Sequence, residues 1–202
     1  NYSWATDEHV WQAREALKRR GLTVASIGGW LGSTAQEFER SCQIAKALDT
    51  TVLGSTTSMM RKDRDFVLRT LKHYGLRLGL ENHPDEKTPD DILRQIGPDT
   101  DVLGACVDTG WWGTQGIDAA DAIEQLRDHL VHVHLKDVKA AGAHETCRFG
   151  QGVVPIERCV HTLQRLGYTG AISIEHEPEH FDPSEDVKAG LEMVKGWLRA
   201  DR

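Results

Sequence analysis

Four short runs of this chain alternate small or polar residues with apolar ones, and each ends on a carboxylate or an imidazole: Leu78–Glu81, Ala105–Asp108, Val131–His134 and Ala171–Glu175. The pleat of a strand sends alternate side chains to opposite faces. Counting back by twos, Gly79 shares a face with Glu81, Cys106 with Asp108, His132 with His134 and Ser173 with Glu175. The other face carries Leu78 and Leu80, Ala105 and Val107, Val131 and Val133, Ile172 and Ile174. Parallel strands wrapped by helices would bury that apolar face and turn the polar one inward. The four polar ends would then meet at the C-terminal ends of neighbouring strands, where a barrel keeps its chemistry.

The intervening sequence reads as helices and further strands. Asp7 to Arg20 has Val10, Ala13 and Leu17 at near-helical spacing, and Gly21 ends it before a strand over Leu22–Ile27. A helix over Thr34–Leu48 leads to a strand over Thr51–Gly54, and a helix over Ser58–Tyr74 stops at Gly75. Asp90–Ile96 is a short helix closed by Gly97-Pro98, and Asp118–His129 is helical. A long polar stretch, Val138 to Gly152, precedes a helix from Pro155 to Leu166. Asp182-Pro183-Ser184 opens the closing helix, Glu185–Arg199. Six strands each followed by a helix, with one helix in front, predict a parallel α/β fold. A doubly wound sheet is the alternative, but no Gly-rich loop follows an early strand. The expected architecture is a (β/α)8 TIM barrel with six strand–helix units visible and the first two strands missing. Residues 1–202 would then be a single, N-terminally incomplete domain.

Composition narrows the partners. A hydrophobic fraction of 39% and a charged fraction of 27% fit a globular domain with a sizeable core. A formal charge of −7 argues against broad binding to nucleic acid or to an anionic membrane. No apolar run approaches transmembrane length, and no signal-peptide pattern is present. Cys42, Cys106, Cys147 and Cys159 lack a CxxC spacing and read as reduced, buried thiols of a cytoplasmic protein.

The gaps between the four polar strand ends are 27 residues (81 to 108), 26 (108 to 134) and 41 (134 to 175). The first two match one strand–helix unit, and the third a unit with the long stretch inserted. Any one of these residues alone would read as a helix cap, a loop salt bridge or a core histidine. Four on one face at one end read as a site. Three carboxylates and one imidazole suit Mn²⁺, with Mg²⁺, Co²⁺ or Zn²⁺ as alternatives.

These residues resemble the xylose-isomerase-like TIM-barrel family of sugar isomerases, ketose 3-epimerases and inosose dehydratases. The resemblance is carried by Leu80-Glu81-Asn82-His83, Val107-Asp108-Thr109-Gly110, His132-Val133-His134-Leu135-Lys136-Asp137, Gly150-Gln151-Gly152 before Pro155, and Gly167-Tyr168-Thr169-Gly170 running into Ile174-Glu175. It implies one divalent metal ion held by Glu81, Asp108, His134 and Glu175. Where relatives commonly carry a His three residues after the metal-binding Asp, this chain has Trp111. The resemblance also implies a sugar or cyclitol substrate, and pairing or tetramer formation.

A metal bound to a carbonyl oxygen and a neighbouring hydroxyl acidifies the adjacent C–H and stabilises the enediolate. Glu81 and Glu175, flanking the ion, would remove and return the proton. Epimerisation or isomerisation is therefore the leading expectation. An inosose-type dehydratase on the same metal site, or a metal-free binding or regulatory barrel, are the alternatives. An endonuclease for abasic DNA would need more histidines and a basic face. Lys136 and His83 share the inward parity and are candidate substrate contacts, with salt bridging as the plain reading of Lys136. Trp111, beside Trp112, offers an apolar wall for a sugar ring or ordinary packing. Arg148 in the long stretch could meet a hydroxylated or anionic substrate, although most loop arginines are simply solvated. Glu177 shares the inward parity of Glu175, beyond the strand end.

Overall fold

The structure, a computed structural model, describes residues 4–200. In chain order the elements are α1 (Asp7–Arg19), α2 (Ala35–Ala47), β1 (Val52–Ser55), α3 (Met59–Lys62), α4 (Arg64–Tyr74), β2 (Arg77–Glu81), α5 (Pro89–Ile96) and β3 (Leu103–Asp108). After these come α6 (Thr109–Thr114), α7 (Ala119–Gln125), a 3₁₀ turn (Arg127–His129), β4 (Leu130–Leu135), β5 (Asp137–Val138), β6 (Thr146–Cys147), α8 (Ile156–Arg165), β7 (Ile172–Ile174) and α9 (Ser184–Ala200). The chain forms two compact units, Asn1–Glu81 with Ile96–Gly104, and Asn82–Gln95 with Ala105–Arg202.

In the first unit β1 and β2 pair in parallel, from Val52 opposite Arg77 to Ser55 opposite Leu80. Helix α2 packs on α1 and on α4. Both α1 and α2 start on a reciprocal cap: Thr6 exchanges hydrogen bonds with His9, and Thr34 with Glu37. The strand expected over Leu22–Ile27 shrinks to bridges, Ile27 to Leu53 and Trp30 to Thr56. The backbone turns between those bridges at Gly29, φ +91°, so no continuous ladder forms. The helix expected over Ser58–Tyr74 is broken at Asp63, whose φ of −155° leaves the helical region. Its carboxylate then caps α4 by accepting the Phe66 N–H at 2.9 Å.

In the second unit β3 pairs with β4 and β4 with β7, all in parallel. Asp108 stands opposite His134, and His134 opposite Ser173. Val107, Val133 and Leu135 are fully buried. Helices α6, α7, α8 and α9 pack in succession, each on the next. The polar stretch after β4 is not a plain loop, since β5 and β6 form a small antiparallel ladder, Asp137 opposite Cys147. Asp137, fully buried, organises the turn between β6 and α8. One carboxylate oxygen accepts the N–H groups of Gly150 at 3.0 Å and Gly152 at 3.1 Å; the other accepts that of Val154 at 3.1 Å. Burial pushes the Asp137 carboxyl up, against the opposite pull of those amides. The four cysteines are buried; burial pushes the Cys42 and Cys159 thiols up to about 12 and Cys147 to about 11. Among the described residues no helix is long and apolar enough to cross a membrane.

Two glycines test this packing in opposite directions. A Cβ on Gly152 would lie closer than 3.0 Å to the Asp137 carboxylate and to the Val138 carbonyl oxygen, a backbone atom with nowhere to go. Gly152→Ala is therefore expected to lower the unfolding free energy by about 1–3 kcal/mol in urea titration. Gly196, in α9, has nothing within 4 Å of such a Cβ. Gly196→Ala should raise stability by about 0.5–1 kcal/mol.

Candidate active site

The site is built around the end of β3. Asn82, buried, substitutes its side chain for a neighbouring backbone: its Nδ2 donates to the Asp108 carbonyl at 2.9 Å, and its Oδ1 accepts the Asp108 N–H at 2.8 Å. With its main chain fixed on both sides, Asp108 divides its carboxylate between two tasks. Oδ1 accepts the Trp111 N–H at 3.0 Å and so caps α6. Oδ2 is buried without a hydrogen bond, and Lys136 Nζ lies 3.0 Å from it as an ion pair.

Lys136 is the centre of the cluster. Its ammonium pairs with Asp108, with Glu175 Oε1, and with Glu177 Oε2 at 3.4 Å. His134 Nδ1 lies 3.1 Å from Glu175 Oε2. Burial opposes the charge on Lys136, but Asp108 and Glu175 outweigh it and hold the ammonium above the ordinary lysine range. Its backbone is clamped to Thr109, whose hydroxyl donates to the Lys136 carbonyl and accepts its N–H, both at 2.9 Å. Gly110 gives the lysine stem room: a Cβ there would lie closer than 3.0 Å to Lys136 Cβ, Cγ and Cδ.

One face of the cluster is aromatic. Lys136 Nζ stands 5.3 Å from the centre of the Trp111 ring. The His83 ring lies 5.7 Å from Trp111, and His144 meets it edge-on at 5.3 Å. The adjacent Trp112 is fully buried in the core, so the tryptophan pair divides between site and core. His132 is buried one layer below His134, with rings 4.8 Å apart, and shares a hydrogen bond with Ser173 Oγ at 2.8 Å.

The second unit thus gathers Asp108, His134, Lys136 and Glu175, with Trp111 and His83 nearby. Arg148 lies instead with Asp186, 3.9 Å away. Glu81 belongs to the first unit, half-buried as the last residue of β2. The parts played by Asn82, Gly110 and Thr109 had only weak sequence signals: each sits beside a proposed ligand in a short motif, but none is itself a ligand type of that set. His144 had none, being one polar residue in a polar stretch.

Asp108, His134 and Glu175 offer two carboxylates and an imidazole, donors of the kind a divalent ion takes, and Asp108 Oδ2, buried and held only by the Lys136 ion pair, is an oxygen suited to one. By residue type the set fits such an ion. In the arrangement seen, no three His, Cys, Asp or Glu among the described residues are already gathered as metal ligands, and the cation between the carboxylates is Lys136.

Comparison with known proteins agrees with this architecture. The family described as "Xylose isomerase-like TIM barrel" matches residues 3–200. An L-ribulose-5-phosphate 3-epimerase of Escherichia coli, UlaE, is 40% identical over 72 residues, a stretch that is 36% of this chain and 24% of the relative. The match therefore spans about a quarter of that relative's length. A xylose isomerase domain protein from Planctomyces limnophilus superposes with a TM-score of 0.76 at 19% identity, over 96% of this chain and 83% of that one. The IOLI protein, crystallised with a binding zinc atom, gives 0.74 at 12% identity, over 95% and 82%. At such identities the structural likeness is one of fold.

The buried imidazole below the cluster makes stability depend on acidity. Burial, and secondarily the neighbouring His134, push His132 down from 6.5 to about 4. Between those values the unfolded chain takes up a proton that the folded chain refuses, so this contribution is present above 6.5 and lost as the pH falls through about 4. His132→Asn is expected to lose less stability than the native chain between about pH 7 and about pH 4.5, by urea midpoints. Equal losses would show that His132 is not the group responsible.

Proposed function

Because the chain belongs to the xylose isomerase-like TIM barrel family, we propose that it is a divalent-metal-dependent sugar isomerase or epimerase that abstracts a proton next to a carbonyl. The observation that carries this reading is the contrast between the two carboxylates on Lys136. The Asp108 side chain is 0% exposed and that of Glu175 is 23% exposed, so Glu175 is the one with an edge towards a substrate.

Glu175 would take the proton on its carboxylate. His134 holds one of its oxygens at 3.1 Å and orients it. Lys136, whose ammonium also reaches Glu177 and the Trp111 face, supplies a positive charge able to neutralise an oxyanion as the C–H bond breaks. Trp111 offers a flat apolar surface for the C–H face of a sugar or cyclitol ring, with the His83 and His144 imidazoles at its edge to meet hydroxyls. When bound to Asp108, His134 and Glu175, a divalent ion, Mn²⁺ favoured, would supply Lewis-acid charge at the carbonyl and its neighbouring hydroxyl. The resemblance in sequence adds Glu81 as a fourth donor and second proton carrier. The 72-residue likeness to an L-ribulose-5-phosphate 3-epimerase supports a ketose among the substrates to be tried.

Incubation with ketoses, aldoses and inososes in deuterated water with Mn²⁺, read by NMR, tests the proposal. The native chain should incorporate deuterium next to the carbonyl of one of them. Glu175→Gln should lose that exchange by about 10²-fold or more while keeping its circular dichroism. Undiminished exchange would take the base role from Glu175, and no exchange by the native chain would remove the proposal.

A further inference from the structure

Lys136 holds the place that a divalent ion would need. Its ammonium lies 3.0 Å from Asp108 Oδ2, the buried oxygen without a hydrogen bond, and pairs with Glu175 Oε1. The Lys136 side chain is 6% exposed. A doubly charged ion brought between these oxygens would meet an ammonium at contact range, and away from bulk water that repulsion is severalfold stronger. Ion and ammonium cannot share the same two oxygens.

The structure also shows where the ammonium could go. Glu177 Oε2 is 3.4 Å from Nζ, on a side chain 69% exposed, and so faces outwards. The Trp111 ring, 5.3 Å from Nζ, stands beside the same route. The root of the lysine is fixed by Thr109 and its stem runs in the space left by Gly110, so movement is confined to the end of the chain. Glu177 is itself placed by β6, its N–H donating to Thr146 Oγ1 at 3.1 Å.

We propose that Lys136 is a built-in counter-cation of the carboxylate cluster, displaced by an incoming divalent ion towards Glu177 and the Trp111 face. Loading the ion and presenting the ammonium on the substrate side are then one event. Without the ion, the ammonium offsets one of the two carboxylate charges and occupies the space between them. This inference rests on the divalent-metal reading above.

The native chain tests it without any activity assay. Acetylation with an N-hydroxysuccinimide ester, read peptide by peptide by mass spectrometry, reports access to Lys136, and calorimetry reports Mn²⁺ binding. Saturating Mn²⁺ should raise the Lys136 acetylation rate on the order of tenfold, as expected for competing ligands, and leave the exposed Lys188 unchanged. Lys136→Met, with no ammonium to move, should bind Mn²⁺ about tenfold more tightly. If calorimetry shows the ion bound while Lys136 stays as protected as before, the displacement is overturned and the metal reading stands. If the ion does not bind the native chain, both fall together.

Discussion

The second unit depends on one ammonium group kept out of water. A buried charge is tolerated only when it is paired, and removing one partner leaves the other stranded at a large cost. Lys136 meets that condition through Asp108 and Glu175, which come from strands on either side of its own. The pairing therefore ties the ends of β3, β4 and β7 to one another as well as satisfying the charge. Asp137, the next residue, takes the opposite direction and gathers the amides of Gly150, Gly152 and Val154. Two adjacent residues of opposite sign thus organise a polar cluster on one side and a chain reversal on the other.

The segment carrying Glu175 and Glu177 is held from a different quarter. His176, between them, shares a hydrogen bond with Thr146 Oγ1 at 2.9 Å and lies 3.4 Å from Asp186 of α9. Phe181 packs edge-on against its ring at 5.8 Å. Since Thr146 also accepts the Glu177 N–H, the small ladder after β4 supports the two acidic side chains that face Lys136. The length of the gap between His134 and Glu175 is explained by this support, which a simple strand–helix unit would not provide.

Much of this was legible because strands have a fixed period. The alternation in Ala105–Asp108, Val131–His134 and Ala171–Glu175 places Asp108, His134 and Glu175 on one side, and the second unit brings them together. The same period does not announce α6: a six-residue helix with two glycines has little propensity of its own and stands on the Asp108 cap and its packing. Asp63 looked like an ordinary polar position within a long helix, because only its backbone angle reveals the break. The β5–β6 ladder is two residues long on each side, too short for any alternation to register. The role of Lys136 as the cation of the cluster was readable only as a salt bridge, since its partners lie 28 and 39 positions away along the chain.

The room that Gly110 leaves for the lysine stem binds two positions into an order of change. While Lys136 is present, any side chain at 110 collides with it, so position 110 is closed to substitution. Once Lys136 is shortened, the same space opens and position 110 can accept a methyl group. A later return to lysine would then be blocked by whatever had filled the gap. Substitutions at neighbouring positions of this kind are non-additive. Descendants of this chain can therefore lose the lysine and then the glycine, and can regain the pair only with the glycine first and the lysine second. The geometry of a single missing Cβ fixes the order in which the two positions can change.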